Sequence, residues 1–579
     1  MISEKIKLFR LENGYTQELL AEKVGVTITT VGRWEANASK PSSLAIESLK
    51  NIGLRNISED DSNKGSISRS DYLSEEERKV GLKNKLTIGL KAVTIELSPY
   101  VINGPQNQID FYHSLLDLQE VGLSNNPLIK LDRLSLVSTV NGEKSSQFIL
   151  ENPKKTAKSW SSNYGSHGWH RYIGRFPPHL VRALINYCSL DSSSTILDPF
   201  CGSGTTIVEG RLLGVRSIGV DICPLSALIS RAKSEFPKDT AELEKSISLY
   251  RDHYISRKNQ LESEFSNVTN HNQVTEFFDS VIPYFTNLEK WFSVEAYIGT
   301  CITVEFIKEQ NNYTQDFFAC QLSSLMRSIG NVEVNVVRAE YSKKPRENVD
   351  VLNLMMKRIN KSLISIKNMV SSHAIKSDDV SGITIYGNGV QNAPLKKESI
   401  DAIITSPPYG VESISYLRTH LLSYRSLVSI LKTDPYTNNK EIIGSEYINQ
   451  NVVVKHKCYS ISNTYKVFFD NLDSKYTLKK HINRIGMMKK FFDDMFDCAE
   501  LFYGWLKPNG KVIFVVGNKK IADDIIPTHE IMKEVFEHFG IFEKELIKHK
   551  LKTNNSNSQV PWQDKIIQDE YIMIMEKTC

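Results

Sequence analysis

Apolar positions along residues 160–235 and 380–579 follow two patterns that alternate with each other. Short β-branched runs ("STILDPF", "RSIGVDI", "DAIIT", "GKVIFVVGN", "EYIMIMEK") read as strands buried on both faces. Between them, "IVEGRLLG", "PLSALISRAK", "MFDCAELFYGWLK" and "HEIMKEVFEHFG" have helical spacing. Such alternation predicts βαβ units and an α/β fold with a doubly wound, mostly parallel sheet. Residues 236–379 interrupt it with a mostly helical pattern, and 411–482 with a polar, weakly periodic one rich in Asn, Lys and Tyr.

The first 55 residues keep a different rhythm. "ISEKIKLFRLENG" carries Ile6, Leu8 and Leu11 and stops at a glycine. "TQELLAEKVG" opens with Thr16 as N-cap and stops at Gly25, and "TITTVGRWEAN" opens with Thr27. Short helices joined by a glycine-bearing turn predict a small all-α helix-turn-helix domain over 1–55. Residues 56–85 are rich in Ser, Asp and Glu and are expected to be a flexible linker. Residues 86–159 hold strand-like runs ("LTIGLKAVTIEL", "RLSLVSTV") without a nameable motif, and are expected to be an extension of the main domain, which comprises 160–235 and 380–579.

Composition narrows this only a little. At 579 residues the chain exceeds one core, so about two to four domains are expected. With 40% hydrophobic and 24% charged residues, global disorder is excluded. A net charge of +4 neither requires nor excludes nucleic acid, for which a local basic patch decides. No signal-peptide pattern and no run of about 18 apolar residues occurs, so a cytoplasmic protein without membrane attachment is expected. The eight cysteines form no Cys-x-x-Cys pair, which points to a reduced compartment and to neither disulfides nor a metal site.

The chemistry concentrates in two loops. "LDPFCGSGTT" (197–206) is a strand, a Gly-x-Gly turn and a helix start. Gly202 and Gly204 allow a sharp turn and close approach to a ligand, and the helix offers N–H groups at its positive end. The next strand ends in Asp221, where an acid can accept hydrogen bonds from ribose hydroxyls. Alone, this pattern suits any nucleotide cofactor. A dinucleotide-binding third glycine is missing, since Thr206 and Ile207 stand there, and no Gly-Lys-Ser/Thr follows. Taken whole, "LDPFCGSGTT…GVDI" resembles the S-adenosylmethionine-dependent amino-methyltransferases of DNA. The resemblance implies a Rossmann-like methyltransferase fold and S-adenosyl-L-methionine as cofactor. It implies cofactor contacts at Asp198, Pro199, Phe200, Gly202, Gly204, Thr205 and Asp221. "HGWHRYIGRFPPHLVRALINY" resembles the segment that precedes the glycine loop in permuted members, which adds Phe176 and Pro177. Asn388 falls where many members carry an acid that contacts adenine. Cys201, inside the loop, reads as a packing residue, and no Pro-Cys nucleophile occurs. His167 and His170 read as packing or surface residues.

The second loop, "TSPPYG" (405–410), ends the apolar run "IDAII" and belongs at the carboxyl end of a central strand. An exocyclic amino nitrogen is a poor nucleophile because its lone pair is delocalised into the base. Acceptors for the amino hydrogens draw that pair out of conjugation. Ser406 offers a side-chain acceptor, and Pro407 a carbonyl whose direction two prolines fix. With Pro408 holding the turn, Tyr409 offers a face for an extruded base, worth ~1–3 kcal/mol of stacking. Direct attack needs no covalent enzyme intermediate and no metal. Within the family the motif resembles, Ser-Pro-Pro-Tyr after threonine is typical of cytosine N4 and Asp/Asn-Pro-Pro-Tyr of adenine N6. The expected function is a site-specific DNA methyltransferase acting on cytosine N4, the modification enzyme of a restriction–modification system. Adenine-N6 methylation is its close rival. More distant rivals are a regulator that only senses S-adenosylmethionine and an RNA N-methyltransferase.

"LFRLENGYTQELLAEKVGVTITTVGRWE" resembles the helix-turn-helix of phage-repressor-type regulators. The resemblance implies DNA contacts at Gln17, Thr27, Ile28, Thr29, Thr30 and Arg33, with Trp34 in the core. The expected partners are double-stranded DNA and, through this module, the protein's own promoter DNA, with added affinity for methylation targets as the competing role. A cognate restriction endonuclease would act on the same site without needing to bind this chain. Target recognition is assigned to 236–379 or to 411–482, where Arg418, Arg425, Lys432, Lys440, Lys455, Lys457 and Tyr459 mix charge with aromatic character.

Overall fold

The computed structural model describes parts of residues 2–54, four strands within 83–144, and most of 163–550 and 569–578. The chain divides into two compact units, Met1–Trp160 and Ser161–Cys579.

In the first unit, α1 (Ile2–Glu12), α2 (Gln17–Val24) and α3 (Ile28–Glu35) close around Ile6, Phe9, Leu20, Val24, Val31 and Trp34. Both predicted caps are present. Thr16 Oγ1 accepts from Leu19 N at 2.9 Å and Thr27 Oγ1 from Thr30 N at 3.3 Å. Arg10 grips Glu35 with two bonds of 2.6 and 3.1 Å, a fork that pins α1 to the end of α3. Four antiparallel strands follow: β1 (Lys83–Ile88), β2 (Lys91–Leu97), β3 (Val137–Val140) and β4 (Glu143–Lys144). Strand β1 starts three residues inside the expected linker.

The second unit is built on seven strands: β5 (Thr195–Asp198), β6 (Arg216–Val220), β7 (Ile383–Tyr386), β8 (Ile400–Thr405), β9 (Leu506–Gly517), β12 (Ile541–Lys550) and β13 (Asp569–Lys577). A separate two-stranded ribbon pairs β10 (Lys520–Ile521) with β11 (Asp524–Ile525). The main sheet runs β12-β13-β9-β8-β5-β6-β7. Pairings among β9, β8, β5, β6 and β7 are parallel, and β13 is antiparallel to both neighbours. This is the mixed α/β sheet of the Rossmann-like methyltransferase type that the periodicity and motifs predict. Strand β8 and residues 512–517 of β9 are buried almost throughout, which is why they read as unbroken apolar runs.

Helix α4 (Pro178–Tyr187) packs on α5 (Thr205–Leu213) and β8, α5 lies beside β5 and β6, and α6 (Pro224–Ser234) beside β6 and β7. The helical interruption becomes α7 (Ala241–Phe265), α8 (His271–Phe277), α9 (Val294–Glu309), α10 (Asn312–Ile329) and α11 (Val351–Ser371). Helix α10 lies on α6, where Arg231 and Asp316 form paired bonds of 2.6 and 3.1 Å. The described parts of the polar stretch 411–482 include helices that its composition does not announce. They contribute α12 (Leu421–Ser426) and α13 (Asn463–Lys475), and Tyr465, Phe469 and Leu472 form a buried i, i+4, i+7 stripe. That stripe joins α14 (Lys479–Trp505) and α15 (Thr528–His538) in the core beside β9.

Candidate active site

The chain walks from β5 to β6 and β7 in one direction, then returns to lay β8 on the other side of β5 and continues to β9. The order therefore reverses between β5 and β8, and ligands of open α/β sheets bind outside the carboxyl ends at such a reversal. Those two strands end in Asp198 and Thr405, the starts of the two loops to which the sequence assigns the chemistry. Thr405 Oγ1 donates to Asp198 Oδ1 at 2.7 Å, Phe200 N donates to the same oxygen at 3.1 Å, and Thr206 Oγ1 donates to the Ile404 carbonyl at 3.3 Å. Two segments some 200 residues apart are thereby joined side chain to side chain. Burial pushes the Asp198 carboxyl up to about 6, and the hydrogen bonds from Thr405, Thr206 and Phe200 pull it back toward ionisation.

In the glycine loop, Gly202 and Gly204 both take positive φ, at 51° and 79°. Their neighbours differ. A Cβ on Gly202 would meet only the Tyr172 ring, at an ordinary 3.4 Å, whereas one on Gly204 would fall 2.2 Å from Ser230 Oγ on α6. Gly204 is there so that α5 and α6 can touch, and Gly202 leaves the loop open. Asp221 is half-buried, accepting from Gly202 N at 2.9 Å on one oxygen and from Cys223 N at 2.8 Å on the other. Burial holds its carboxyl at about 6 against these two N–H groups, with nearby Asp198 adding to the rise. Buried Cys201 has its thiol pushed up by burial and by the two carboxylates, which suits a packing residue.

In the second loop, Pro407 is buried and Ser406, Pro408 and Tyr409 are half-buried. Tyr409 and Phe200 both pack against the large apolar core cluster that includes Leu197, Ile403 and Phe514. The Tyr409 hydroxyl donates to Glu570 Oε1 at 3.0 Å and lies 3.0 Å from Ser406 Oγ. Gly410 takes φ 111°, a conformation that L side chains rarely adopt, and the flexible tip of Met488 of α14 lies 2.9 Å from where a Cβ would sit.

Other expected residues lie around these loops in different roles. Phe176 is buried, and the Pro177 carbonyl accepts from Leu180 and Val181 N at 3.0 and 3.2 Å, so the pair starts α4. Tyr172, four residues earlier, is the ring over the glycine loop. It bonds Ser226 Oγ at 2.7 Å and stacks on His420 with centroids 5.2 Å apart. Exposed Asn388 spends its amide on the Asn392 carbonyl at 2.6 Å, although the next residue, Gly389, lies against Ile222 beside Asp221. Pro199 and Thr205 are buried in the turn and at the start of α5. His167 and His170 are buried, bonded to Glu209 at 2.6 Å and to Ser323 at 2.8 Å, the packing role expected of them. Tyr172, Thr405 and Glu570 enter the site only through the fold. Of these, only the threonine of "TSPPY" carried a sequence signal.

In the first unit, Thr27, Thr29 and Arg33 are exposed, Thr30 is half-buried, and Ile28 opens α3. The Gln17 amide donates to Glu35 Oε2 at 2.7 Å, which holds it against the end of α3. Trp34 is buried in the core, as expected. Arg418 and Lys440 lie outside the described residues.

The donor set suits the expected cofactor. Asp221 accepts from Gly202 N and Cys223 N on different oxygens and, with four lone pairs in all, keeps acceptor capacity for a ribose hydroxyl. The N-cap of α5 is Gly204, which has no side chain to cap the helix, so the first turn of α5 can offer N–H groups to an anionic group such as a carboxylate. Among the described residues no group of His, Cys, Asp and Glu is placed to hold a metal, and no helix is long and apolar enough to cross a membrane.

A DNA methylase family model matches residues 124–226, which include the glycine loop and Asp221, and a helix-turn-helix model matches 6–49. Type II methyltransferase M.BsoBI of Geobacillus stearothermophilus is 26% identical over 469 residues, 74% of this chain and 88% of the relative. Type II methyltransferase M.MvaI of Kocuria varians is 26% identical over 440 residues, 71% of this chain and 91% of the relative. A shorter match, 43% over 51 residues, is to a tRNA (guanine(10)-N2)-dimethyltransferase of Methanothermobacter thermautotrophicus and covers 9% of this chain and 15% of the relative.

Proposed function

We propose that the chain, which is similar to type II DNA methyltransferases, uses S-adenosylmethionine as methyl donor and methylates the N4 amino group of cytosine in duplex DNA. The observation that carries the proposal is the 2.7 Å bond from Thr405 to Asp198, which ties the loop expected to hold the donor to the loop expected to hold the base. Gly202, Asp221 and the first turn of α5 would hold the cofactor, with Tyr172 over it. When bound, S-adenosylmethionine supplies an activated methyl group. The chain's own part is to extrude the base and stack it on Tyr409. Ser406 Oγ and the Pro407 carbonyl then accept the amino hydrogens, so that the nitrogen lone pair is localised toward the donor. Tight placement and aligned dipoles carry the rate.

The helix-turn-helix supports a second contact with DNA, and its exposed Thr27, Thr29 and Arg33 suit a major-groove face. Its proposed role is to bind the protein's own promoter. A modification role beside a restriction endonuclease, in the cytoplasm, is part of the same proposal. The test is to express the protein, digest host DNA to nucleosides and analyse them by mass spectrometry beside a Ser406→Ala control. N4-methylcytosine present with the wild type and absent with the control is expected. N6-methyladenine alone would overturn the choice of base, and no difference between the two would overturn the assignment.

A further inference from the structure

A phenol has one proton, and at Tyr409 that proton is committed. Its hydroxyl lies 3.0 Å from both Glu570 Oε1 and Ser406 Oγ, and a carboxylate only accepts. The tyrosine must therefore donate to Glu570, and the remaining contact closes only if the Ser406 hydroxyl donates to the phenol oxygen. Ser406 then turns its lone pairs, and not its proton, away from Tyr409. An amino group presents only hydrogens in the plane of its base, so it needs that polarity. Without the carboxylate, Ser406 can accept the phenol proton and turn its own proton toward the substrate.

We infer that Glu570 is a positioning residue that sets the proton direction along Tyr409 and Ser406, making the serine an acceptor and anchoring the stacking ring by its edge. The inference rests on the proposed roles of Ser406 and Tyr409. The topology explains why so distant a residue serves here. Strand β13 is antiparallel to β9, with Glu570 opposite Gly517, so its first residues reach the sheet edge where the parallel strands end. Charge assistance makes this bond stronger than a neutral one, and the ring is held as firmly as the proton.

The test is single-turnover methyl transfer from tritiated S-adenosylmethionine to unmethylated genomic DNA amplified in vitro, at saturating cofactor and DNA. Glu570→Ala should slow transfer about tenfold, the worth of one charge-assisted bond, while the Kd for S-adenosylhomocysteine stays unchanged. Glu570→Gln, which keeps the shape but can donate, should also be slow. In a Tyr409→Phe background, Glu570→Ala should change the rate less than twofold, since no relay remains to direct. An undiminished tenfold effect in that background would overturn the inference. So would a loss carried wholly by cofactor or DNA binding, or a Glu570→Gln rate equal to wild type. If the wild type itself transferred no methyl group, the proposed function would fail first, and separately.

Discussion

A single methyl group added at Gly204 tests how the glycine loop is built. In Gly204→Ala the new Cβ would sit 2.2 Å from Ser230 Oγ, 2.9 Å from its Cβ and 3.0 Å from its Cα, at a backbone φ of 79°. The left-handed conformation costs an alanine ~1–2 kcal/mol, and forcing a methyl into a packed contact costs ~1–3 kcal/mol more. A loss of about 3 kcal/mol is therefore expected. In Gly202→Ala only the conformational part applies, because the Tyr172 ring at 3.4 Å is in ordinary contact, so about 1–2 kcal/mol is expected. Urea unfolding followed by tryptophan fluorescence compares the two. Ser230→Gly should recover part of the Gly204→Ala loss, with a coupling of ~1–2 kcal/mol in a double-mutant cycle, because the remaining 3.0 Å approach is to backbone. Equal losses for the two glycines, or no coupling to Ser230, would refute the view that Gly204 serves helix packing.

Three further outcomes follow from the same geometry. Asp221, held at about 6, is ionised at pH 8 and takes up a proton as pH falls through that value, so calorimetric affinity for S-adenosylhomocysteine should drop between about pH 7 and 5. Asp198 titrates in the same range, so Asp221→Asn should bind weakly with a much flatter profile; full pH dependence in that variant would refute the role. On stability the sign is opposite, because an acid whose folded pKa is raised favours the folded state as pH falls from about 6 toward 4. Tyr172→Ala should weaken S-adenosylhomocysteine binding about tenfold, and unchanged affinity would remove the ring from the site. Deleting residues 1–60 should leave methylation of host DNA intact while derepressing a reporter under the protein's own promoter; loss of methylation with an unchanged reporter would reverse the assignment of that domain.

Local chemistry was the legible part. The glycine loop, the acid closing β6 and the Pro-Pro turn each declare themselves within ten residues, because φ restrictions and strand ends are local properties. The helix caps at Thr16 and Thr27 were readable for the same reason. Partners recruited by tertiary structure were not. Nothing around Tyr172 sets it apart from Phe176 until Ser226 on α6 and His420 are placed beside it, and nothing in "DEYIMIMEK" announces that its second residue meets the Pro-Pro loop. That meeting depends on the direction of β13, which periodicity cannot give. The two glycines look equivalent in the motif, and only the position of Ser230 on the next helix separates them. The polar stretch 411–482 hid α13 because three buried residues among thirteen do not lower its overall polarity.

The place of β13 between β9 and β12 imposes an order on synthesis. Strand β12 leaves the ribosome earlier, yet it has no neighbour in the sheet until β13 slides in beside it. A nascent chain halted before residue 569 would hold β9 and β12 as facing open edges, prone to pairing with other chains. It would also lack the carboxylate that steadies the tyrosine. The keystone of the sheet is thus made after both of the strands it locks together, so unfinished copies of this protein should be idle and easily recognised as waste.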